Sequence, residues 1–182
     1  MNMDPDQHII EQTKKWVREV VIGCNFCPFA SKVVKDNRLH YVVEDAVDMA
    51  ACLETLLNEC IRLDNDKAIE TTLIILPNSF ESFEEYLDLV ELGEKLLAQN
   101  EYEGIYQLAS FHPLYRFADA PCDDPANYTN RSVYPMLHLL SEESIEEAVA
   151  NFPDPDSIPE RNIKFARQKG LAAMKLLRDN CQ

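Results

Sequence analysis

The run TTLIIL at residues 71–76 is short, apolar and rich in branched side chains, which predicts a buried β-strand. Working outward from it, the segments 39–43 and 105–111 predict two more strands. Apolar residues recur at helical spacing over 46–63 and 80–99, between these strands. Because such helices can return the chain to the start of the next strand, the order β-α-β-α-β favours parallel pairing. We expect an α/β fold, with α+β as the alternative: a small, mainly parallel sheet with helices packed on it, as a ferredoxin-like fold or another open sandwich.

Helices and a proline-rich loop are predicted on either side of this unit. Before it, helical patterns cover 5–22 and 29–35. After it, seven of the ten prolines lie between residues 113 and 159, which predicts a long loop with short elements. Further helices are predicted at 136–140, 142–151 and 159–178, and capping boxes at Ser82 with Glu85 and Ser157 with Glu160. A chain of 182 residues without a linker or repeat predicts a single domain over 1–182.

The chain is acidic, with 17 Lys and Arg against 32 Asp and Glu and a formal net charge of −15 at pH 7. Such a charge repels phosphate backbones, so we expect no nucleic-acid partner. No apolar run approaches the roughly 20 residues that span a bilayer, and the N-terminal MNMDPDQHII lacks the pattern of a secretory signal. We therefore expect a soluble, cytoplasmic protein. Residues 160–182 are locally basic, which favours either ion pairs with the acidic body or a docking face for an acidic partner or anionic ligand.

The six cysteines are predicted to be free thiols, because a reducing cytoplasm disfavours disulfides. Cys24 and Cys27 have C-x-x-C spacing, but they follow a helix rather than the strand that precedes this motif in thioredoxin-like proteins. The amides at the start of a helix can activate a neighbouring thiol. Cys27 is therefore a candidate nucleophile or metal ligand, and a buried structural thiol is the alternative.

The segment FHPLYRF at 111–117 leaves the third strand and opens a loop that runs to His138. Loops at the carboxyl ends of strands commonly carry the sites of α/β proteins. Because imidazole titrates near neutral pH and binds metals, His112 and His138 are candidate acid/base groups or metal ligands. The alternative for both is structural, with His112 bonded to backbone and His138 packed in the helix at 136–140. No paired zinc motif occurs, so no metal is assigned.

Arg116 and Arg131 are the only Lys or Arg residues between Gln99 and Asn151. Guanidinium groups suit bidentate binding of carboxylates and phosphates, which predicts an anionic small molecule as ligand. Asn130 and Ser132 are candidate further contacts to it. The alternative is that the arginines pair with loop aspartates and that the polar residues serve turns. Phosphate-binding glycine motifs and a G-x-S-x-G elbow do not occur, which argues against ATPases, Rossmann dehydrogenases and α/β-hydrolases.

Five motifs form a specific combination: NFCPFA at 25–30, QLASFHPLYRF at 107–117, NYTNRS at 127–132, YPMLHLL at 134–140 and IPERN at 158–162. Together they resemble the uncharacterised domain-of-unknown-function family 1415 over residues 16–170. The resemblance implies one intact domain and points, without assigning roles, to Cys27, His112, Asn130, Arg131, Ser132 and His138. The chain departs from the pattern at Val133, where it implies proline, and at Ser141, where it implies arginine. Cys24 lies outside the motif that contains Cys27.

Two functions from different classes fit these residues. The first is a small-molecule enzyme of hydrolase or transferase type, with its site between the Cys27 turn and the 112–138 loop. There the arginines would bind an anionic substrate group, a histidine would transfer protons, and Cys27 would be nucleophile or metal ligand. The second is a non-catalytic regulatory module that binds a ligand or protein and whose motif residues only hold the loop. A closed, fully hydrogen-bonded loop would favour the second function.

Overall fold

The computed structural model describes residues 4–182. Its strands are β1 Leu39–Val43, β2 Thr71–Ile75, β3 Tyr106–Phe111 and β4 Met136–Ser141. Its α-helices are α1 Pro5–Trp16, α2 Ala30–Lys35, α3 Met49–Asn65, α4 Phe83–Gln99, α5 Glu142–Ala150, α6 Ile158–Lys169 and α7 Leu171–Asp179. A π-helix, Val17–Ile22, continues α1, and short 3-10 helices lie at Pro125–Thr129 and Pro155–Ser157. None of the helices within 4–182 is both long and apolar enough to cross a membrane.

The four strands form one sheet in the order β1-β2-β4-β3. β1 and β2 are parallel, whereas β4 is antiparallel to both of its neighbours. The α/β class is confirmed, but the expectation of a mainly parallel sheet is partly wrong, because only the β1–β2 pair is parallel. β1, β2 and β3 do run in one direction, and β4 separates the last two. The element order β-α-β-α-β-β also differs from the β-α-β-β-α-β of a ferredoxin-like fold, so the sheet is an open sandwich of another type.

The strand β4 replaces the short helix expected at 136–140, so that prediction is wrong. β4 is central in the sheet and is covered on both faces, so apolar residues occur at nearly every position of MLHLL. A short, continuously apolar run does not distinguish a buried strand from a buried helix.

Helices cover both faces of the sheet. Successive side chains of β4 point to opposite faces, so each of them can be assigned to one face. The back face is covered by α3 and α4, which pack on Ile74 and Leu137. The front face is covered by α1, the π-helix, α6 and α7, which pack around Leu73 and Met136. His138 follows Met136 by two residues and therefore lies on the front face.

The start of α4 agrees with its predicted cap but not with its predicted first residue. Ser82 Oγ accepts a hydrogen bond from the Glu85 N–H at 3.4 Å, as a helix cap requires. The helix begins at Phe83 rather than at Phe80, because Phe80 has the left-handed φ of 57°.

The predicted C-terminal helix 159–178 is two helices. Gly170 separates α6 from α7 with φ 86° and ψ 157°, a conformation that is essentially restricted to glycine. The capping box expected at Ser157 does not form, since the Ser157 hydroxyl donates to the Asp154 carbonyl at 2.8 Å instead.

Two basic side chains of the C-terminal helices, one on α6 and one on α7, contact the protein's own body. Arg167 forms an ion pair with Asp124 at 2.7 Å. Arg178 donates to the Pro113 carbonyl at 3.2 Å. Both contacts attach the C-terminal helices to the 112–138 loop, which agrees with the first of the two interpretations of the basic segment.

Candidate functional site

A cavity of about 310 Å³ lies in the front layer, between the sheet and the helices α2 and α5. We call it the front cavity. Its walls are mainly apolar, and they include Trp16, Val33, Leu73, Phe111, Leu140 and Ile145. Its polar side chains are Cys27, Glu70, Thr71, His138, Ser141 and Ser144. The volume falls within the range of small-molecule sites, which begins at about 300 Å³.

Small residues and loosely packed helices create this space. Ala30 on α2, Ala109 on β3 and Ala148 on α5 all line the cavity where a larger side chain would fill it. Neither α2 nor α5 contributes a fully buried residue to the core.

A wider polar depression of about 520 Å³ adjoins the cavity between α2 and α5, and we call it the vestibule. Phe29, Val33, Glu70, Ser144 and Ala148 line both spaces. The vestibule adds the charged residues Lys32, Arg38, Glu143 and Glu147. Arg38 and Glu70 form an ion pair at 2.8 Å at the boundary.

Cys27 and His138, which are 111 positions apart, both line the front cavity. Cys27 stands in the turn between the π-helix and α2, and His138 stands in the middle of β4. No hydrogen bond joins the two side chains in the described part of the chain. Cys24 does not line the cavity within these residues, and burial raises the pKa of its thiol, which disfavours a C-x-x-C redox pair.

The hydrogen bonds of Thr71 determine the tautomer of His138. The Thr71 hydroxyl donates to the Leu139 carbonyl at 2.6 Å, so its proton is committed there. At the contact of 2.8 Å between Thr71 Oγ1 and His138 Nε2, the hydroxyl must therefore accept and Nε2 must donate. Burial lowers the pKa of His138 to about 4, so the ring is neutral at pH 7 and Nδ1 carries no proton.

His112 lies on the back side of the sheet, away from the front cavity. Its ring packs against Phe83 and Tyr86, with ring centroids 5.2 and 4.9 Å apart, and the residue is 1% exposed. Nε2 donates to the Phe80 carbonyl at 2.8 Å, and Nδ1 accepts from the Leu114 N–H at 3.0 Å. Because both nitrogens bond to backbone, this histidine connects the turn before α4 to the start of the 112–138 loop.

The polar residues predicted to bind substrate hold the 112–138 loop closed. Arg131 donates to the carbonyls of Tyr115 and Cys122 at 2.9 and 2.8 Å, and its guanidinium lies 4.8 Å from the Tyr128 ring centroid. The Asn130 amide donates to the Ser110 carbonyl at 3.3 Å, and the buried Ser132 hydroxyl donates to the Tyr134 carbonyl. Arg116 is exposed. Of the seven residues singled out from the sequence, Cys27 and His138 therefore line the front cavity, and the other five do not.

Several residues of the cavity carry no signal that sequence reasoning could use. Ala30, Ala109 and Ala148 are ordinary residues of a helix or strand, and only the packing of their three elements brings them to the wall of one cavity. Thr71 was part of the apolar run that predicts β2, and its role in orienting His138 depends on the pairing of β2 with β4.

No group of three or more His, Cys, Asp or Glu side chains in residues 4–182 is arranged to hold a metal ion. All six cysteines are free thiols.

Comparison with known proteins places the chain in one family. No significant match is found among curated proteins or among solved structures. The model of the family described as "Protein of unknown function (DUF1415)" matches residues 8–176 of the 182-residue chain. The motifs at the Cys27 turn, in the 112–138 loop and on β4 all lie within the matched segment. The chain therefore belongs to this DUF1415 family.

Proposed function

We propose that this protein binds a small, largely apolar molecule in the front cavity. The observation that carries the proposal is the cavity of about 310 Å³, whose walls are mainly apolar and which adjoins a polar vestibule. A molecule bound there would make dispersion contacts with the apolar side chains and would remove their surface from water. Engineered apolar cavities of about half this size bind benzene.

The charges around the cavity support an apolar ligand rather than an anionic one. Glu70 is the one charged residue among its described lining side chains, and a carboxylate repels anions. Arg131, which was expected to bind an anionic group, is engaged by loop carbonyls. The closed loop also favours a binding module over an enzyme, because its polar groups already have partners.

Binding of naphthalene, a neutral apolar probe, tests this proposal. We expect Ala148→Phe to weaken naphthalene binding at least about tenfold, since a ring at this position occupies the boundary between cavity and vestibule. Calorimetry measures the affinity, and the emission of Trp16, the single tryptophan, reports binding at the cavity wall. The matched control is Ala172→Phe, which adds the same ring at an exposed position of α7 and should leave the affinity unchanged. Equal affinities for both variants, or no binding to the unaltered protein, would contradict the proposal.

A second candidate function is thiol chemistry on a molecule bound in the same cavity. The observation that favours it is that Cys27 and His138 line the same cavity, because a thiol and an imidazole that acts as its base are the usual pair for nucleophilic catalysis. In this function Nδ1 of His138 would accept the thiol proton.

Alkylation with N-phenylmaleimide separates the second function from simple binding. If His138 assists Cys27, we expect His138→Phe to slow the alkylation of Cys27 by at least roughly tenfold. Exposed Cys122 is the internal control and should react at the same rate in both proteins. Mass spectrometry of peptides measures both rates, and an unchanged rate at Cys27 would exclude this role for His138.

A further inference from the structure

The front cavity has a hydrogen-bond acceptor in its sheet wall that the protein itself does not use. His138 lines the cavity, and its Nε2 is occupied by Thr71. Across residues 4–182, no donor is bonded to its Nδ1. His138 is only partly buried, and it lines the cavity, so its ring borders this space.

Three of the other polar side chains of the cavity have partners. The Thr71 hydroxyl donates to Leu139 and accepts from His138. Ser141 Oγ accepts from the Ser144 N–H at 3.3 Å, where it caps α5. Glu70 pairs with Arg38. The Ser144 hydroxyl and the Cys27 thiol also line the cavity, and each of them can donate as well as accept. The Nδ1 atom of the neutral ring can only accept, so it requires a donor from a molecule inside the cavity.

We infer that the ligand of the front cavity is a neutral, largely apolar molecule with one hydrogen-bond donor, an apolar alcohol or phenol, whose donor binds His138 Nδ1. This inference rests on the function proposed above. The direction of the bond follows from the tautomer, because the Thr71 hydroxyl cannot give its proton to Leu139 and to Nε2 together. The donor of the ligand then lies at the sheet, and its apolar body extends towards α2 and α5.

Because His138 Nδ1 has no donor from the protein, it should discriminate between ligands of similar shape. A donor that meets Nδ1 replaces the hydrogen bond that it loses to water, whereas a ligand without a donor leaves Nδ1 dry and unpaired. The site should thus prefer a phenol to its methyl ether, although the ether is the more apolar molecule.

Naphthol and methoxynaphthalene, substituted at the same ring position, test the inference. We expect naphthol to bind about fivefold more tightly, the ratio that one net hydrogen bond of ordinary strength gives. In His138→Phe, which keeps an aromatic ring but removes both nitrogens, this preference should disappear while methoxynaphthalene still binds. The Thr71 hydroxyl keeps its bond to Leu139 in this variant, so no buried donor is left unpaired.

Nitrogen NMR of the imidazole gives a second measurement that does not depend on the variant. Naphthol should shift the resonance of His138 Nδ1, and methoxynaphthalene should not. Equal affinities of the two probes, or a preference that survives in His138→Phe, would overturn the inference and leave the proposed function standing. Failure of naphthalene, naphthol and methoxynaphthalene to bind at all would overturn the proposed function as well.

Discussion

Replacing His112 with phenylalanine is expected to lower the free energy of unfolding by about 3 kcal/mol, a typical sum for two buried backbone groups left without partners. The phenyl ring keeps the aromatic packing against Phe83 and Tyr86, so loss of volume contributes little. The substitution removes two hydrogen bonds: the one that His112 donates to the Phe80 carbonyl and the one that it accepts from the Leu114 N–H. Urea unfolding at pH 7 measures the loss.

The turn at Phe80 adds a second reason for this cost. Phe80 has a φ of 57°, which is unfavourable for a bulky residue, and its carbonyl is the one that His112 binds. His112→Phe therefore also removes a contact that holds this strained turn.

The matched control is His8→Phe, at an exposed position of α1, where we expect a change within about 0.5 kcal/mol. A loss below about 1 kcal/mol for His112→Phe would mean that water or a rearranged turn satisfies the two backbone groups.

Local sequence patterns predict much of this fold, because α3, α4 and the strands beside them follow their own periodicity closely. The run at 71–76 and the spacing over 46–63 place β2 and α3 within a few residues of their bounds. β4 is missed for two physical reasons. Which strands pair is decided by non-local contacts. The segment at 136–140 also lacks an alternation of apolar and polar residues, because both faces of the strand are buried.

For the candidate site, the sequence identifies chemically distinctive residues, but only the packing of the fold determines which of them line the cavity. Cys27 and His138 are chemically distinctive, so the sequence identifies them as candidates, and the structure places both at the front cavity. Arg131 and Asn130 are equally distinctive, but they bind carbonyls of their own loop. Residue type cannot separate these outcomes, since a guanidinium binds a backbone carbonyl as readily as an anionic ligand.

Acid is expected to destabilise this protein through His138. The pKa of this imidazole is about 4 in the folded protein, against 6.5 as the ordinary value, because burial disfavours the charged ring. Above pH 6.5 the ring is neutral in both states, and between pH 6.5 and 4 only the unfolded state binds the proton. Above pH 6.5, His138 therefore causes no loss of stability. Below this pH the free energy of unfolding falls by up to about 1.4 kcal/mol per pH unit, and the total loss is about 3 kcal/mol near pH 4.

Comparison with His138→Phe isolates this contribution. Denaturant unfolding at pH 7 and pH 4 should show that the variant loses about 3 kcal/mol less than the unaltered protein over this range. The other histidines and the carboxylates, Glu70 at the cavity included, are common to both proteins and cancel in the difference. Equal losses in the two proteins would mean that His138 takes up its proton as readily folded as unfolded. Its ring would then be solvated, and the front cavity would be a water-filled cleft rather than an apolar binding site.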